Sequence, residues 1–381
     1  PTARLFTQSC TPENDTMKRM LALSLLLALS TAVFGQDDWP VDDFVATTGV
    51  REGPVASRDL PGWSARPTIL ISPRWGFAEL LQETFPELDV IVVNNPAEAM
   101  AEAPAANVIV GTCEGDVVAA AEELVWVQIY WAGVERCLDV AKLGAGKVVL
   151  SNMQKMSSPT IGEHAVAMTL SLARGLVQYG KTMQTGEWDR DLVSNPTMYS
   201  VSGKTMLVVG LGGIGSAAAQ RAKALGMRVI ATRNSSREGP AWVYYVGLSD
   251  ELGELVAEAD VVVNALPLTA STQGLFNRDI FAGFKQGAYF INVGRGGTVV
   301  TDDLVAALES GQVGGAGLDV TDPEPLPAEH PLWQMPNVII TPHVAGSGSD
   351  RRYHFMLLRE NVRRYLEGEA LLNVVDPQKG Y

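Results

Sequence analysis

The stretch Thr205-Met206-Leu207-Val208-Val209-Gly210-Leu211-Gly212-Gly213-Ile214-Gly215-Ser216-Ala217-Ala218-Ala219 decides the fold. Leu207 to Val209 reads as a short apolar strand, and the alanine-rich run that ends at Leu225 reads as a helix. A G-x-G-x-x-G pattern alone is weak evidence; a strand before it and a helix after it give it meaning. Gly210 permits the tight turn, Gly212 lets the backbone approach a pyrophosphate, and Gly215 lets the helix pack close to the strand. Gly213 and Ile214 complete the cofactor-binding turn, and the helix beginning at Ser216 presents free N–H groups and a partial positive charge to a phosphate.

The next strand, Val229 to Ala231, runs into Thr232-Arg233-Asn234-Ser235-Ser236-Arg237. An acid about 20 residues beyond the glycines would accept from a ribose 2′-OH, and none stands there. A guanidinium suits a 2′-phosphate dianion, which an aspartate would repel. Arg233, Asn234 and Ser235 therefore point to NADP(H) in preference to NAD(H), with NAD(H) still possible.

Outward from the motif, strand and helix patterns alternate in both directions. Upstream, strands are expected at Thr68 to Ile71, Val90 to Val93, Val108 to Val110, Val125 to Tyr130 and Val148 to Leu150. Downstream they are expected at Val261 to Ala265, Tyr289 to Val293, Gly317 to Val320 and Val338 to Ile340. Such alternation predicts parallel sheets covered by helices. One long amphipathic helix, Ile161 to Tyr179, reads as a crossing between two units, and the last helix, about Arg351 to Leu366, as a return to the first. The expected fold is α/β, with two Rossmann-like doubly wound domains: a flavodoxin-like substrate domain (66–158 and 347–381) and a dinucleotide-binding domain (159–346). Residues 36–65 show no sustained period and read as linker or wrap-around segment.

The bulk numbers agree with two domains. The chain has 381 residues, 46% hydrophobic and 19% charged, enough to bury full cores. A net charge of -14 argues against nucleic acid or an anionic membrane surface as partner, though not against an anionic substrate. The three cysteines, Cys10, Cys113 and Cys137, form no CxxC pair. No metal site is expected, and all three read as free, mostly buried thiols. Near the start, Met17-Lys18-Arg19-Met20, the apolar run Leu21 to Leu29 and the small residues up to Gly35 follow the pattern of a secretory signal. Residues 1–35 are thus a signal-like leader implying export; the alternative is a start-site artefact and a cytoplasmic protein. The apolar run is too short to span a bilayer, which takes about 20 residues.

The last third carries the chemistry. Arg295 follows the strand Tyr289 to Val293, at the kind of strand end where such sheets bind ligands. Its planar fork can take a carboxylate in two bonds. Of four histidines (His164, His330, His343, His354), His343 lies just past a strand after Pro342, and leads by placement as acid/base. Glu324 sits between Pro323 and Pro325; bonded to His343 it would keep an imidazolium available as proton donor.

These residues lie in motifs. Asn292-Val293-Gly294-Arg295-Gly296, Gly317-Leu318-Asp319-Val320 through Glu324-Pro325-Leu326-Pro327, and Thr341-Pro342-His343-Val344-Ala345-Gly346 resemble three signatures of the D-isomer-specific 2-hydroxyacid dehydrogenase family. Leu266-Pro267-Leu268-Thr269 with Thr272, Ala132-Gly133-Val134-Glu135, Glu163-His164-Ala165 and Gly186-Glu187-Trp188 are also similar to it. The resemblance runs from about Pro67 to the C-terminus. It implies that Arg295 binds the substrate carboxylate and keto oxygen, that His343 donates the proton, and that Glu324 orients His343. Backbone amides around Ala132 and Gly133 would also hold the carboxylate. Pro267, Thr272 and Asp319 would lie at the cofactor. A small 2-keto or 2-hydroxy acid is the implied partner, of the glyoxylate or hydroxypyruvate reductase type, and a homodimer the implied assembly. A non-catalytic dinucleotide sensor of the same fold is the alternative.

Three departures from the family pattern stand out. Arg233 replaces the common Asp, Trp131 stands where smaller residues are frequent, and the leader is atypical because reduced nicotinamide is not expected outside the cytoplasm.

Overall fold

The computed structural model describes residues 40–193, 198–234 and 236–381. The leader and Ser235 lie outside the described residues. Two compact units divide at Thr47/Thr48. The described part of the first, residues 40–47, is little more than the helix Val41–Thr48 short of its last residue; everything below concerns the second.

Fourteen strands form three sheets among the described residues. The first parallel sheet holds β2 (Thr68–Ile71), β3 (Asp89–Val92), β4 (Val108–Val110), β5 (Trp126–Gln128) and β6 (Val149–Ser151), in the order β3-β2-β4-β5-β6. The second holds β7 (Thr205–Val209), β8 (Arg228–Thr232), β9 (Tyr245–Gly247), β10 (Val261–Asn264), β11 (Ala288–Asn292), β12 (Val313–Leu318) and β13 (Val338–Ile340), in the order β13-β12-β11-β10-β7-β8-β9. All its pairings are parallel. The α/β reading therefore holds for both halves. β7 and β11 are buried at every residue, as apolar strands are when helices cover both faces of a sheet. Two clusters serve the larger sheet, one including Leu207, Phe276 and Phe290, the other Val208, Ala218 and Ile291.

Three features differ from the sequence expectations. The helix expected over Ile161 to Tyr179 is two: Ser158–Ala173 and Leu176–Thr185. Gly175, at φ 63°, breaks it in the left-handed conformation that ends helices. Within 36–65, β1 (Glu52–Ala56) pairs antiparallel with β14 (Ala370–Leu372). A strand with Pro54 and no alternation carries no local signal; its partner lies at the far end of the chain. Finally, Cys113 and Cys137 are not free thiols but a disulfide, with Cα atoms 5.5 Å apart. β4 and β5 are adjacent and parallel, so the segments leaving their C-terminal ends lie side by side, which no spacing motif reveals. Cys10 lies outside the described residues.

Close packing of two helices on the larger sheet relies on Gly162. A Cβ there would stand 2.8 Å from the Ala217 carbonyl carbon, so glycine is what lets the Ser158–Ala173 helix lie on the Gly213–Ala224 helix. The last helix, Arg351–Glu367, reaches back to the first sheet. There Tyr365 stacks on Trp126 at 5.6 Å between ring centroids, and buried Asn361 donates to Gln128 at 3.0 Å.

Candidate active site

The glycine turn joins β7 to the Gly213–Ala224 helix at the centre of the larger sheet. β8 and β10 flank β7 on opposite sides, so the strand order reverses there and opens a crevice above the strand ends. Gly210 has φ 94°. A Cβ on Gly215 would be 2.1 Å from the Gly210 carbonyl oxygen, whereas one on Gly212 would meet nothing within 4 Å. One glycine thus closes the helix onto the turn and another leaves open approach. The amides of Gly213 and Ile214, first in the helix, have no intrahelical acceptor by helix geometry. These features fit a dinucleotide pyrophosphate.

At the end of β8, the Arg233 backbone N–H donates to Gly247 and its Nη1 to the Glu238 carbonyl at 2.7 Å. Asn234 is exposed. Arg237 is engaged elsewhere, on Glu251 and Tyr245. Lys155 belongs to no motif that the sequence marks. It follows β6, its Nζ donates to the Gly49 carbonyl, and its stem lies 3.0 Å from where a Gly213 Cβ would be. Burial first, then the charges of Arg51 and Arg233, hold its ammonium pKa below the ordinary lysine value. The charges of Arg51 and Arg233 thus act on a lysine that lies beside the turn.

Arg295, Asp319 with Glu324, and His343 follow β11, β12 and β13, three successive neighbours in one parallel sheet. His343 Nδ1 donates to Glu324 Oε1 at 2.7 Å. A carboxylate only accepts, so the bond fixes the proton on Nδ1 of the neutral ring. Nε2 has no protein partner among the described residues, and the side chain is half exposed. The His343 backbone, at φ 54°, lies in the left-handed region, a conformation that costs about 1–3 kcal/mol and persists only where its surroundings impose it. Asp319 imposes it. Its carbonyl accepts from His343 N–H at 2.8 Å, and its buried carboxylate accepts from Thr341 Oγ1 and the amides of Val344 and Ala345 at 2.6, 2.9 and 3.0 Å. Asp319 is thus spent on the loop that carries His343.

The other histidines are otherwise occupied. His164 sits behind Thr341 at 3.0 Å, and His330 Nδ1 accepts from the Leu332 amide. His354 is 4% exposed against Ser157 and Trp75; burial pushes its pKa down.

Arg295 is held by a buried amide network invisible to sequence reading. Asn264 donates to Asn292 and Thr298 at 3.0 and 2.7 Å, and Thr298 Oγ1 donates to the Arg295 carbonyl at 2.6 Å. Its side chain reaches across to the other sheet: Nε donates to Glu135 Oε1 at 2.8 Å and Nη1 to the Gly294 carbonyl at 2.8 Å. Gly133 lies directly beneath, since a Cβ there would stand 2.1 Å from Nη2. Ala132 is fixed through its carbonyl, which accepts from Asn152 at 2.7 Å. Thr272 Oγ1 donates to the Pro267 carbonyl at 2.7 Å, bracing the loop after β10. Trp131 is 39% exposed beside Ala132. Among the described residues, no group of three or more His, Cys, Asp or Glu could hold a metal.

Residues 166–345 match the family model described as D-isomer specific 2-hydroxyacid dehydrogenase, NAD binding domain. A glyoxylate/hydroxypyruvate reductase B from Citrobacter koseri is 37% identical over 242 residues, covering 63% of this chain and 74% of the relative. Among solved structures, a D-isomer specific 2-hydroxyacid dehydrogenase family protein from Aeromonas salmonicida is similar at TM-score 0.73 and 32% identity, over 82% of this chain and all of that one. An NADPH-dependent glyoxylate/hydroxypyruvate reductase from Sinorhizobium meliloti, solved with NADP and sulfate, is similar at TM-score 0.70 and 30% identity, over 82% of this chain and 100% of the other.

Proposed function

From the premise that the chain belongs to the D-isomer-specific 2-hydroxyacid dehydrogenase family and is an NAD(P)-dependent oxidoreductase, we propose that it reduces a small 2-keto acid of the glyoxylate or hydroxypyruvate type, with NADPH preferred over NADH. The observation that carries this reading is the 2.7 Å bond between His343 and Glu324 on strand ends next to Arg295.

When bound, the nicotinamide supplies the hydride. The chain's own groups do the rest. Arg295, with the backbone around Ala132 and Gly133, holds the substrate carboxylate and orients its carbonyl. His343 gives the proton on Nε2 to the carbonyl oxygen as that oxygen gains charge. Glu324, as acceptor from Nδ1, fixes the ring's orientation and stabilises the imidazolium that donates. In the reverse direction the same Nε2 accepts the hydroxyl proton.

The NADPH preference is supported by the missing acid after β8 and by Arg233, whose guanidinium at that strand end suits a 2′-phosphate and whose charge reaches Lys155. A non-catalytic sensor is not favoured, because such a protein has no need of a bonded histidine–glutamate pair beside a carboxylate-binding arginine. Homodimer formation is supported by exposed Leu176, Met183 and Trp188 around the helix Leu176–Thr185. An oxidising compartment is supported by the leader pattern and the Cys113–Cys137 disulfide; N-terminal sequencing of the mature protein tests it. The function itself is tested by NADPH and NADH oxidation with glyoxylate, hydroxypyruvate, pyruvate and phenylpyruvate. Turnover of the small acids with NADPH favoured is expected; no turnover alongside tight cofactor binding would overturn it.

A further inference from the structure

Arg295 enters the site on a loop of one sheet, yet its guanidinium is aimed by a residue of the other. Glu135 opens the short helix Glu135–Leu138, which follows β5 and the Ala132-Gly133 turn. Its Oε1 accepts from Arg295 Nε at 2.8 Å, with the two side chains 36% and 27% exposed. On the opposite edge, Nη1 donates to the Gly294 carbonyl at 2.8 Å. A planar guanidinium held at Nε and at Nη1 can neither rotate about its last bond nor tilt. The group left over is Nη2, which has no protein acceptor among the described residues. Nη2 lies against Gly133, 2.1 Å from the place a Cβ would take, and Glu135 Oε2 lies 2.7 Å from that same point.

Glu135 is itself anchored. Val134 and Cys137 on either side are 2% and 1% exposed. Cys137 is cross-linked to Cys113 in the segment after β4. The carboxylate therefore comes from a fixed point on the first sheet and reaches a mobile type of side chain on the second. Holding a reacting group to within a fraction of an ångström is what such support contributes, because a displacement of about 1 Å can cost about 100-fold in rate.

We propose that Glu135 is a positioning residue for the reaction, holding the Arg295 guanidinium so that Nη2 faces the carboxylate site over Gly133. This rests on the proposed function for the identity of the substrate. Glu135 touches neither substrate nor cofactor in this role; it acts through Arg295.

The test compares wild type with Glu135→Ala and Glu135→Gln. Removing the carboxylate leaves Nε unpaired and lets the fork swing. Keto-acid kcat/KM should fall at least tenfold in Glu135→Ala, while the KM for NADPH and the melting temperature stay close to wild type. Glu135→Gln keeps an oxygen acceptor of the same reach and should recover most of that loss. Wild-type keto-acid kcat/KM in Glu135→Ala overturns the proposal. So does an equal loss in both variants, or a loss shared by the cofactor KM, since those outcomes signify charge or general structure rather than aim. Should wild type turn over no keto acid, the proposed function fails separately. The positioning role is then read from calorimetric binding of oxamate, an inert monoanionic 2-keto acid analogue, to the enzyme–NADPH complex. Glu135→Ala should weaken that binding at least tenfold; equal binding in both proteins overturns it.

Discussion

Replacing Gly133 by alanine places one methyl group under the substrate-binding arginine, and its size can be worked out from the structure. Gly133 does not require a left-handed φ, so alanine can take its backbone. The new Cβ would stand 2.1 Å from Arg295 Nη2 and 2.7 Å from Glu135 Oε2, where ordinary contact begins at 3.4 Å. Both neighbours are ends of flexible side chains, so the fold absorbs the change while the guanidinium withdraws by about 1.3 Å. A misplacement of that order costs about 100-fold, equivalent to about 2.7 kcal/mol of transition-state stabilisation. Gly133→Ala should therefore lower keto-acid kcat/KM about 100-fold, on the scale of that same displacement, with little change in melting temperature or NADPH affinity. Gly180→Ala, where a Cβ meets nothing within 4 Å, is the control for the exchange itself. Steady-state kinetics with saturating NADPH and a thermal melt are the assays. A folded Gly133→Ala enzyme with kcat/KM near wild type would refute the assignment of Arg295 to the substrate carboxylate over this turn.

Other expectations follow from single contacts. Arg233→Ala should cost NADPH kcat/KM roughly 10- to 100-fold, the worth of a charge-assisted hydrogen bond, and leave NADH nearly unaffected; an equal effect on both cofactors would remove Arg233 from the 2′-phosphate. Cys113→Ser with Cys137→Ser opens a loop of sequence separation 24, which should lower unfolding stability by about 3.5 kcal/mol in the chain-entropy account, and an unchanged urea midpoint would argue against the crosslink. His354 is buried with its pKa lowered from 6.5, by burial first, with Asp350 opposing and Arg351 adding to the shift. The folded protein then binds this proton less readily than the unfolded chain. The stability it contributes is present above pH 6.5 and is lost as pH falls through the lower folded value. His354→Gln should therefore melt with a shallower fall between pH 7 and pH 5 than wild type, by scanning calorimetry; an identical acid profile would count against it.

The glycine turn, the alternation that makes both sheets parallel, and the three motifs holding Arg295, Glu324 and His343 are legible in the order of residues alone. Each is local: a turn needs its glycines, a buried strand needs a short apolar run, and a motif carries its own order. What lay between distant segments was not legible. The expected helix over Ile161 to Tyr179 ignored Gly175, whose left-handed φ of 63° outweighs the apolar spacing. β1 has no period of its own and exists through pairing with β14. The bonds from both Asp319 oxygens to the loop that presents His343 carry no local sequence signal either.

The rest comes from the folded arrangement, because it depends on which strand ends are neighbours. The order β13-β12-β11 sets the catalytic residues side by side. The adjacency of β4 and β5 turns two cysteines into a crosslink. The meeting of the two sheets gives Arg295 its partner in Glu135, 160 residues away in sequence. A side chain's chemistry is written in its residue type; its aim comes from a contact made by a residue of the other sheet.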